Sequence, residues 1–386
     1  MAFGINKLQK ISIKQETAFG DTLSSGDFSG GVLLRTVEAV DMGFAREAIG
    51  DNAVRRSFDD AGLPAIPGRA DAKVTLALRL CGASRTGGAI TTDGLSTVLD
   101  MLIGDRHAPS DSTCGTGCTT TLIVTAGTYQ VGDVLLIGGH ARVVTAVGTG
   151  DVTIAPPLPS APANGTAIVA CESYRVTAGT SQPSVGLGIE RVGDTEMVYR
   201  LAGCAATALS LGEITPGAQI TLSAELTASE WARGSVTHAT SDMPDRYIVA
   251  GVGDVARLVL ADASGAYWAP VVASMSPNLS VANLLVDGLG SGAVGGRVGV
   301  VPDIPDGEAA TITLLQDPAA TTLTKIEALI GKEFSACIQI GTQSGSVVGV
   351  AYPVCTISAL PKPADASGVK AVEFAIRAAA GVLFRG

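Results

Sequence analysis

Leu99 to Gly104 reads LDMLIG and Ile326 to Gly331 reads IEALIG, two apolar turns that each carry one carboxylate and end on the glycine that favours a helix C-cap. They lie 227 residues apart. Downstream, Cys204 to Leu209 reads CAATAL and Cys355 to Leu360 reads CTISAL. That match runs without a gap through Gly217 with Gly368, Ala224 with Ala375 and Ala228 with Ala379. The second pair is 151 residues apart and agrees at six of 25 positions. Helix signal precedes strand signal in both copies, so the simplest reading is a duplicated unit. Since 227 less 151 leaves 76, the first copy carries 76 extra residues between helix and strand, which reads as an insertion.

At 386 residues the chain is long enough for two or three domains with cores of their own. Hydrophobic residues make up 46%, yet aromatics only 4% and charges 16%, so the apolar content is mostly Ala, Val, Leu and Ile among 48 glycines. No run of 18 apolar residues occurs, so the positive mean hydropathy does not imply a membrane helix. Lys7, Lys10 and Lys14 interrupt the N-terminus where a secretory signal needs an apolar core, which points to folding in the cytoplasm. A chain this apolar with so few charges implies surface covered by partner subunits. The net charge of −10 excludes tight phosphate binding through clustered Lys and Arg, but not a wall past which nucleic acid slides. Seven cysteines in apolar contexts read as reduced core residues.

The body of the chain alternates β-branched and polar residues between Gly, Asp, Asn and Pro breaks, the pattern of a mostly antiparallel β protein. Val74 to Leu80 (VTLALRL) and Ala310 to Leu315 (ATITLL) each read as a strand preceding one of the two helices. Met42 to Asp71 reads as a long charged loop containing Arg46, Arg55, Arg56, Asp59, Asp60 and Arg69, expected either to be solvated or to reach a neighbouring subunit. Between 119 and 174, short apolar runs separated by tight Gly/Asp turns read as a small barrel on the surface of the first unit. The expected division is 1–118 with 175–250 as a discontinuous first unit, 119–174 as the inserted small β domain and 251–386 as the second unit.

Signatures of chemistry are lacking. Gly288, Gly290 and Ala293 have dinucleotide-loop spacing but no helix signal follows. Gly331-Lys332 lacks the upstream glycine and following hydroxyl of a phosphate loop. Cys114, Cys118 and His107 fall one short of the four ligands of structural zinc. His140 and His238 have no nucleophile beside them in sequence. No catalytic, cofactor-binding or metal-ligating set is therefore expected, and the sequons at Asn164 and Asn278 carry no meaning without secretion.

Duplicated β units with one short helix each, and a long charged loop in the first, resemble the tail tube (major tail) proteins of long-tailed bacteriophages. The segment Glu16-Thr17-Ala18-Phe19-Gly20, the run Glu190-Arg191-Val192-Gly193-Asp194 followed by Val198 to Leu209, and Tyr352-Pro353-Val354 are similar to that family's opening and later strands. The likeness covers roughly 1–118 and 180–386. It implies a mainly β fold: two tail-tube-like β-sandwich units, each with a short helix, plus the inserted barrel. It also implies a structural, non-enzymatic virion protein without cofactors, made in the host cytoplasm, that assembles with itself into stacked rings through which DNA passes without specific binding. The tape measure protein and the tail terminator or tip proteins would be its other partners. Two units per chain favour a trimeric ring of approximate sixfold symmetry over a hexamer of full chains. The charged residues Arg46, Arg55, Arg56, Asp59, Asp60 and Arg69 are the expected ring contacts. A capsid decoration protein, a tail-tip component or a surface-binding β module would share much of this composition.

Overall fold

The computed structural model describes residues 9–38, 40–49, 66–175, 184–191, 198–250, 256–279, 282–287, 297–303, 308–317, 321–357, 359–378 and 381–386. In chain order, β1 (Gln9–Gln15), the one-turn α1 (Thr22–Ser25), β2 (Val32–Leu33), β3 (Asp41–Ile49) and β4 (Ile66–Arg79) lead to a small hairpin, β5 (Arg85–Thr86) with β6 (Ala89–Ile90). Then come α2 (Gly94–Ile103) and β7 (Arg106–His107). Six strands follow: β8 (Ser112–Thr113), β9 (Leu122–Val124), β10 (Val134–Ile137), β11 (His140–Val147), β12 (Asp151–Ala155) and β13 (Ala167–Ala170). Next are β14 (Glu172–Arg175), β15 (Val185–Arg191), β16 (Val198–Leu211), β17 (Thr221–Ala228) and β18 (Glu230–Arg233). The second half opens with β19 (Ala256–Ala261), β20 (Tyr267–Trp268) and β21 (Val272–Pro277), followed by the hairpin β22 (Ala282–Asp287) and β23 (Arg297–Asp303). It closes with β24 (Glu308–Leu315), α3 (Thr321–Leu329), β25 (Phe334–Ile340), β26 (Val348–Thr356), β27 (Lys362–Ala366), β28 (Val369–Ala378) and β29 (Val382–Arg385).

The fold is mainly β, and its two large sheets share one strand order. The first runs β2-β1-β15-β16-β17-β4-β3 and the second β20-β19-β25-β26-β28-β24-β21, so every strand of one has a counterpart of the same rank in the other. β18 runs against the first part of β16, as β29 runs against the first part of β26. Register agrees as well. Leu211 opposes Leu222 and Lys362 opposes Glu373, each partner displaced by the same 151 residues, but the first pair faces the core and the second the open face, so the sequence match is one residue out of phase with the two faces. Gly217 and Gly368, the turn glycines matched in sequence, both adopt positive φ, at 86° and 80°, where a Cβ would be strained.

The helices occupy the same place in each half, between the strand ranked sixth and the one ranked third. In α2, Leu95, Val98, Leu99 and Leu102 fall at i, i+3, i+4 and i+7, and all are buried. Asp93 caps it, accepting Ser96 N–H at 2.8 Å, and Gly104 at φ 82° ends it. α3 is shorter in apolar content, burying Ile326 and Leu329. One apolar core runs through both halves. No helix among the described residues is long and apolar enough to cross a membrane.

Three expectations need correction. The charged stretch from Met42 to Asp71 is not a loop at its flanks, because β3 and β4 pair from Asp41 with Thr75 out to Ile49 with Ile66. Charge in the sequence does not prevent backbone pairing into a strand. The inserted sheet, ordered β8-β13-β10-β11-β12-β9, begins at Ser112 rather than 119. Nor does it hang on the first unit. Val134, Leu136, Ala141 and Val143 pack on Cys337, Val347, Ala351 and Phe384 of the second half. Finally, β7 and β14, which flank the insertion, join the second large sheet through β29. Gln339 clamps the contact, its Oε1 accepting Ala141 N–H and its Nε2 donating to Gly139 O, both at 2.8 Å.

Candidate assembly interface

The two large sheets meet edge to edge within the chain. Beyond the end of β16, Ile214 and Met275 of β21 exchange backbone hydrogen bonds of 2.7 and 3.1 Å, and Leu279 N–H donates to Leu209 O at 3.1 Å. Ser210 opposes Asn278 and Ile214 opposes Met275 in antiparallel bridges. Ile214 and Met275 both point into the core, while Asn278 stays exposed beside Ser210, so the inside and outside faces run unbroken across the joint. The hairpin β22–β23 packs on β16, and Arg297 Nη1 donates to Ala228 O at 3.2 Å.

Period-2 alternation separates two chemistries on this joined sheet. Inward lie Val74, Leu76, Leu78, Leu222, Leu226, Ile312, Leu314 and Phe374. Outward lie Thr75, Thr221, Ser223 and Thr227 from the first half, with Ser274, Ser276, Thr311 and Thr313 from the second. Hydroxyl opposes hydroxyl where Ser276 faces Thr311 and Ser274 faces Thr313. Lys73, Glu225, Lys362, Glu373 and Arg377 share that face, so it is of mixed charge.

Of the expected contact residues, Arg46 lies in β3 and Arg69 in β4, at the outer half of the hairpin that ends the first sheet. Arg55, Arg56, Asp59 and Asp60 lie outside the described residues. β3 terminates its sheet, pairing only with β4 among the described strands, whereas its counterpart β21 is bridged to Ile214. A cleft beside the approach to β3 is lined by Arg35, Val37, Glu38, Arg79 and Asp245. Its walls are charged and open, unlike the mostly apolar enclosure that holds a small ligand.

Sequence reading missed a buried charge cluster where the start of α2 meets β7, β14 and β29. Glu172 on β14 takes Arg385 on one oxygen and Arg106 on the other, at 2.9 and 2.5 Å, and Ser96 Oγ donates to it at 3.1 Å. Arg385 also reaches Asp93 at 2.5 Å. Burial alone would raise the Asp93 carboxyl, but Arg385, Ser84 and Ser96 outweigh it and hold its pKa below the ordinary value. Burial likewise opposes charge on Arg385, and Tyr174, Glu172 and Asp93 overcome it, raising its pKa. The charges pair with one another, which braces the structure, while Arg385 Nη1 has no hydrogen-bond partner among the described residues.

Glu16 is buried and accepts from Gly20 N–H and Gly203 N–H at 3.0 Å and from Ser184 Oγ at 2.5 Å. It pins the N-terminal segment to β16. The histidines are engaged structurally. His107 Nδ1 lies 2.6 Å from Asp133, and Arg257 donates to His140 Nδ1 at 3.0 Å. Burial, then Arg142 and Arg257, depress His140 to about 4. Cys118 Sγ donates to Gly115 O at 3.4 Å, and burial followed by Cys118 raises Cys114 to about 11. No family model matches the chain, and no curated protein does.

Proposed function

We propose that this chain is a tail tube protein of the long-tailed phage type, a structural virion component that forms stacked rings around a DNA conduit. The observation that carries the reading is the joint itself. Two halves with the same strand order lie side by side as one sheet, with an apolar inner face and a hydroxyl-rich open face. A sheet built by lateral repetition closes naturally into a barrel, and closure removes the unpaired edge that would otherwise template aggregation. Short hydroxyls with balanced charge suit a wall past which phosphates move, because they offer no row of cations for many-point binding. Two halves per chain favour three chains in a ring of approximate sixfold symmetry, with the inserted sheet at three of six positions.

Electron microscopy of the purified full chain tests this. Hollow tubes of stacked rings with true threefold symmetry are expected, whereas discrete particles at every concentration and salt would sink the tube reading in favour of a decoration or tip protein. Six full chains per ring would refute the trimer. Reversing charge at Arg55 and Arg56 should weaken stacking, and the effect should soften as salt rises, because exposed pairs are screened over about 8–10 Å.

A further inference from the structure

Three arginines are buried among the described residues, and two of them meet carboxylates. Arg385 takes Glu172 and Asp93, and Arg297 lies 3.7 Å from Asp287. Arg142 of β11, sealed from water, meets none among the described residues. Its Nε donates to Pro157 O at 3.0 Å and its Nη1 to Ala141 O at 2.6 Å, while Nη2 has no partner. Around it stand Tyr267 of β20, whose ring centroid is 5.9 Å from Cζ, Cys337 of β25 and a second guanidinium, that of Arg257 on β19. His140 lies two residues before Arg142 on the same face of β11. Its ring stands edge-on to Tyr267 with centroids 6.4 Å apart, and Arg257 Nη1 donates to its Nδ1 at 3.0 Å.

A guanidinium can only donate, so His140 Nδ1 carries the lone pair and Nε2 carries the proton. That N–H has no partner among the described residues. His140 forms one wall of a cavity of about 160 Å³, where one water needs only about 10–15 Å³, and Ile137, Leu158, Pro159, Ser160 and Thr166 are among the others. Leu158 and Pro159 follow directly on Pro157, so the residue that anchors Arg142 adjoins the cavity wall. We propose that this crevice, between the inserted sheet and the edge of the second large sheet, binds a small oxyanion, the carboxylate or phosphate group of a ligand. His140 Nε2–H and the hydroxyls of Ser160 and Thr166 receive it, and Arg142 and Arg257 supply the charge that holds it. Two guanidinium groups without a carboxylate leave positive charge largely out of water, a costly arrangement that an anion relieves. Burial, then Arg142 and Arg257, depress His140 to about 4, so the ring enters as a neutral donor. A bound anion offsets both guanidinium charges at the ring and lets it take a proton. The ligand also bridges β11 to β19, which fastens the insertion to the second half, a role that the tube reading does not require.

Calorimetric titration of the full chain at pH 7.5, with sodium chloride holding the ionic strength constant, tests this with two probes. Sodium sulfate presents a tetrahedral anion whose charge does not change between pH 5 and 8, and sodium acetate presents a carboxylate. One site per chain is expected for at least one probe in the millimolar range. Arg257→Gln and Arg142→Met should each weaken it about tenfold or more, the loss of a charge-assisted hydrogen bond or of the charge behind it. If Arg142→Met does not fold, Arg257→Gln decides, since that side chain is only half-buried. Binding of sulfate alone assigns the site to a phosphate-type group, and binding of acetate alone to a carboxylate. A pH series separates binding at this ring from binding elsewhere. Because the anion raises the folded pKa of His140 from about 4, binding takes up a proton, and the tighter-bound probe should gain several-fold in affinity from pH 7.5 to 5.5 in the parent and gain nothing in His140→Gln. No saturable site for either probe, a site that Arg257→Gln leaves at the parent's affinity, or an equal pH dependence in His140→Gln would each overturn the inference. Anion binding by chains that never form tubes would leave it standing and remove the tube.

Discussion

Glu172 and Arg385 stand opposite each other across the β14–β29 pair, with Arg385 Nε 2.9 Å from Glu172 Oε2 and both side chains sealed from water. One follows the inserted sheet and the other nearly ends the chain, so this contact ties the beginning of the first half's return to the edge of the second. Removing one partner leaves the other charged and buried. Glu172→Gln or Arg385→Met should each cost about 3–5 kcal/mol of stability, and the double change Glu172→Leu with Arg385→Met should cost clearly less than the sum. Urea unfolding followed by both fluorescence and circular dichroism checks this, with two probes because a chain of several sheets need not unfold in one step. Additive losses would mean that the pair does not interact in the folded chain.

Asp93 gives this cluster a pH signature. Its folded pKa lies below that of an unfolded aspartate, so its contribution is present above the unfolded value and is lost as pH falls through the folded one. The unfolding free energy should therefore drop more steeply between about pH 5 and 3 in the parent than in Asp93→Asn. Parallel curves for the two would contradict it.

His140 works in the opposite range. Its folded value of about 4 lies under the ordinary 6.5, so the unfolded chain binds the extra proton between those limits and stability falls as pH drops from 6.5 toward 4. The ring sits between the inserted sheet and Arg257 of β19, which donates to its Nδ1. His140→Gln keeps an acceptor without the titration. The parent should lose on the order of 1 kcal/mol more than this variant on moving from pH 7.5 to 5, after discounting for partial exposure. Thermal melts at the two pH values measure it, and equal losses would place the proton elsewhere.

Mainly β character and helix positions were legible in the sequence because they rest on local signals: two-residue alternation, and apolar spacing ended by Gly104 and Gly331. The 151-residue match also carried register information, since it aligned Gly217 with Gly368 before any turn was seen. What the sequence did not disclose depends on contacts distant along the chain. Nothing local marks Gln339 as the partner of Gly139 and Ala141, or Arg385 as the partner of Glu172. The charge-rich stretch around Arg46 and Arg69 read as loop because composition outweighed its weak alternation, and only pairing between β3 and β4 decides the matter. The same match sets core-facing Leu222 against open-face Glu373, a one-residue slip of faces that sequence matching alone does not reveal.

The inserted sheet offers the last test. As an outward module on the first half, it could be cut out and replaced by a short Gly/Ser bridge with little consequence. Its packing says otherwise. Val134, Leu136, Ala141 and Val143 cover Cys337, Val347, Ala351 and Phe384, and Gln339 loses both of its partners in the insertion if the sheet goes. Each large apolar side chain returned to water forfeits about 1.5–3 kcal/mol. Deleting 112–170 while keeping β14, so that the Glu172–Arg385 pair survives, should therefore lower the melting temperature and create a patch that binds a hydrophobic dye. Adding Val347→Thr, which makes part of the uncovered patch polar, should reduce dye binding without restoring stability. The β3–β4 hairpin and the joint between β16 and β21 are untouched by the deletion, so assembly should persist at temperatures where the shortened chain stays folded. A deletion variant with unchanged melting and no dye binding would return the sheet to the role of an outward module. One that folds but never assembles would make the inserted sheet part of the ring itself.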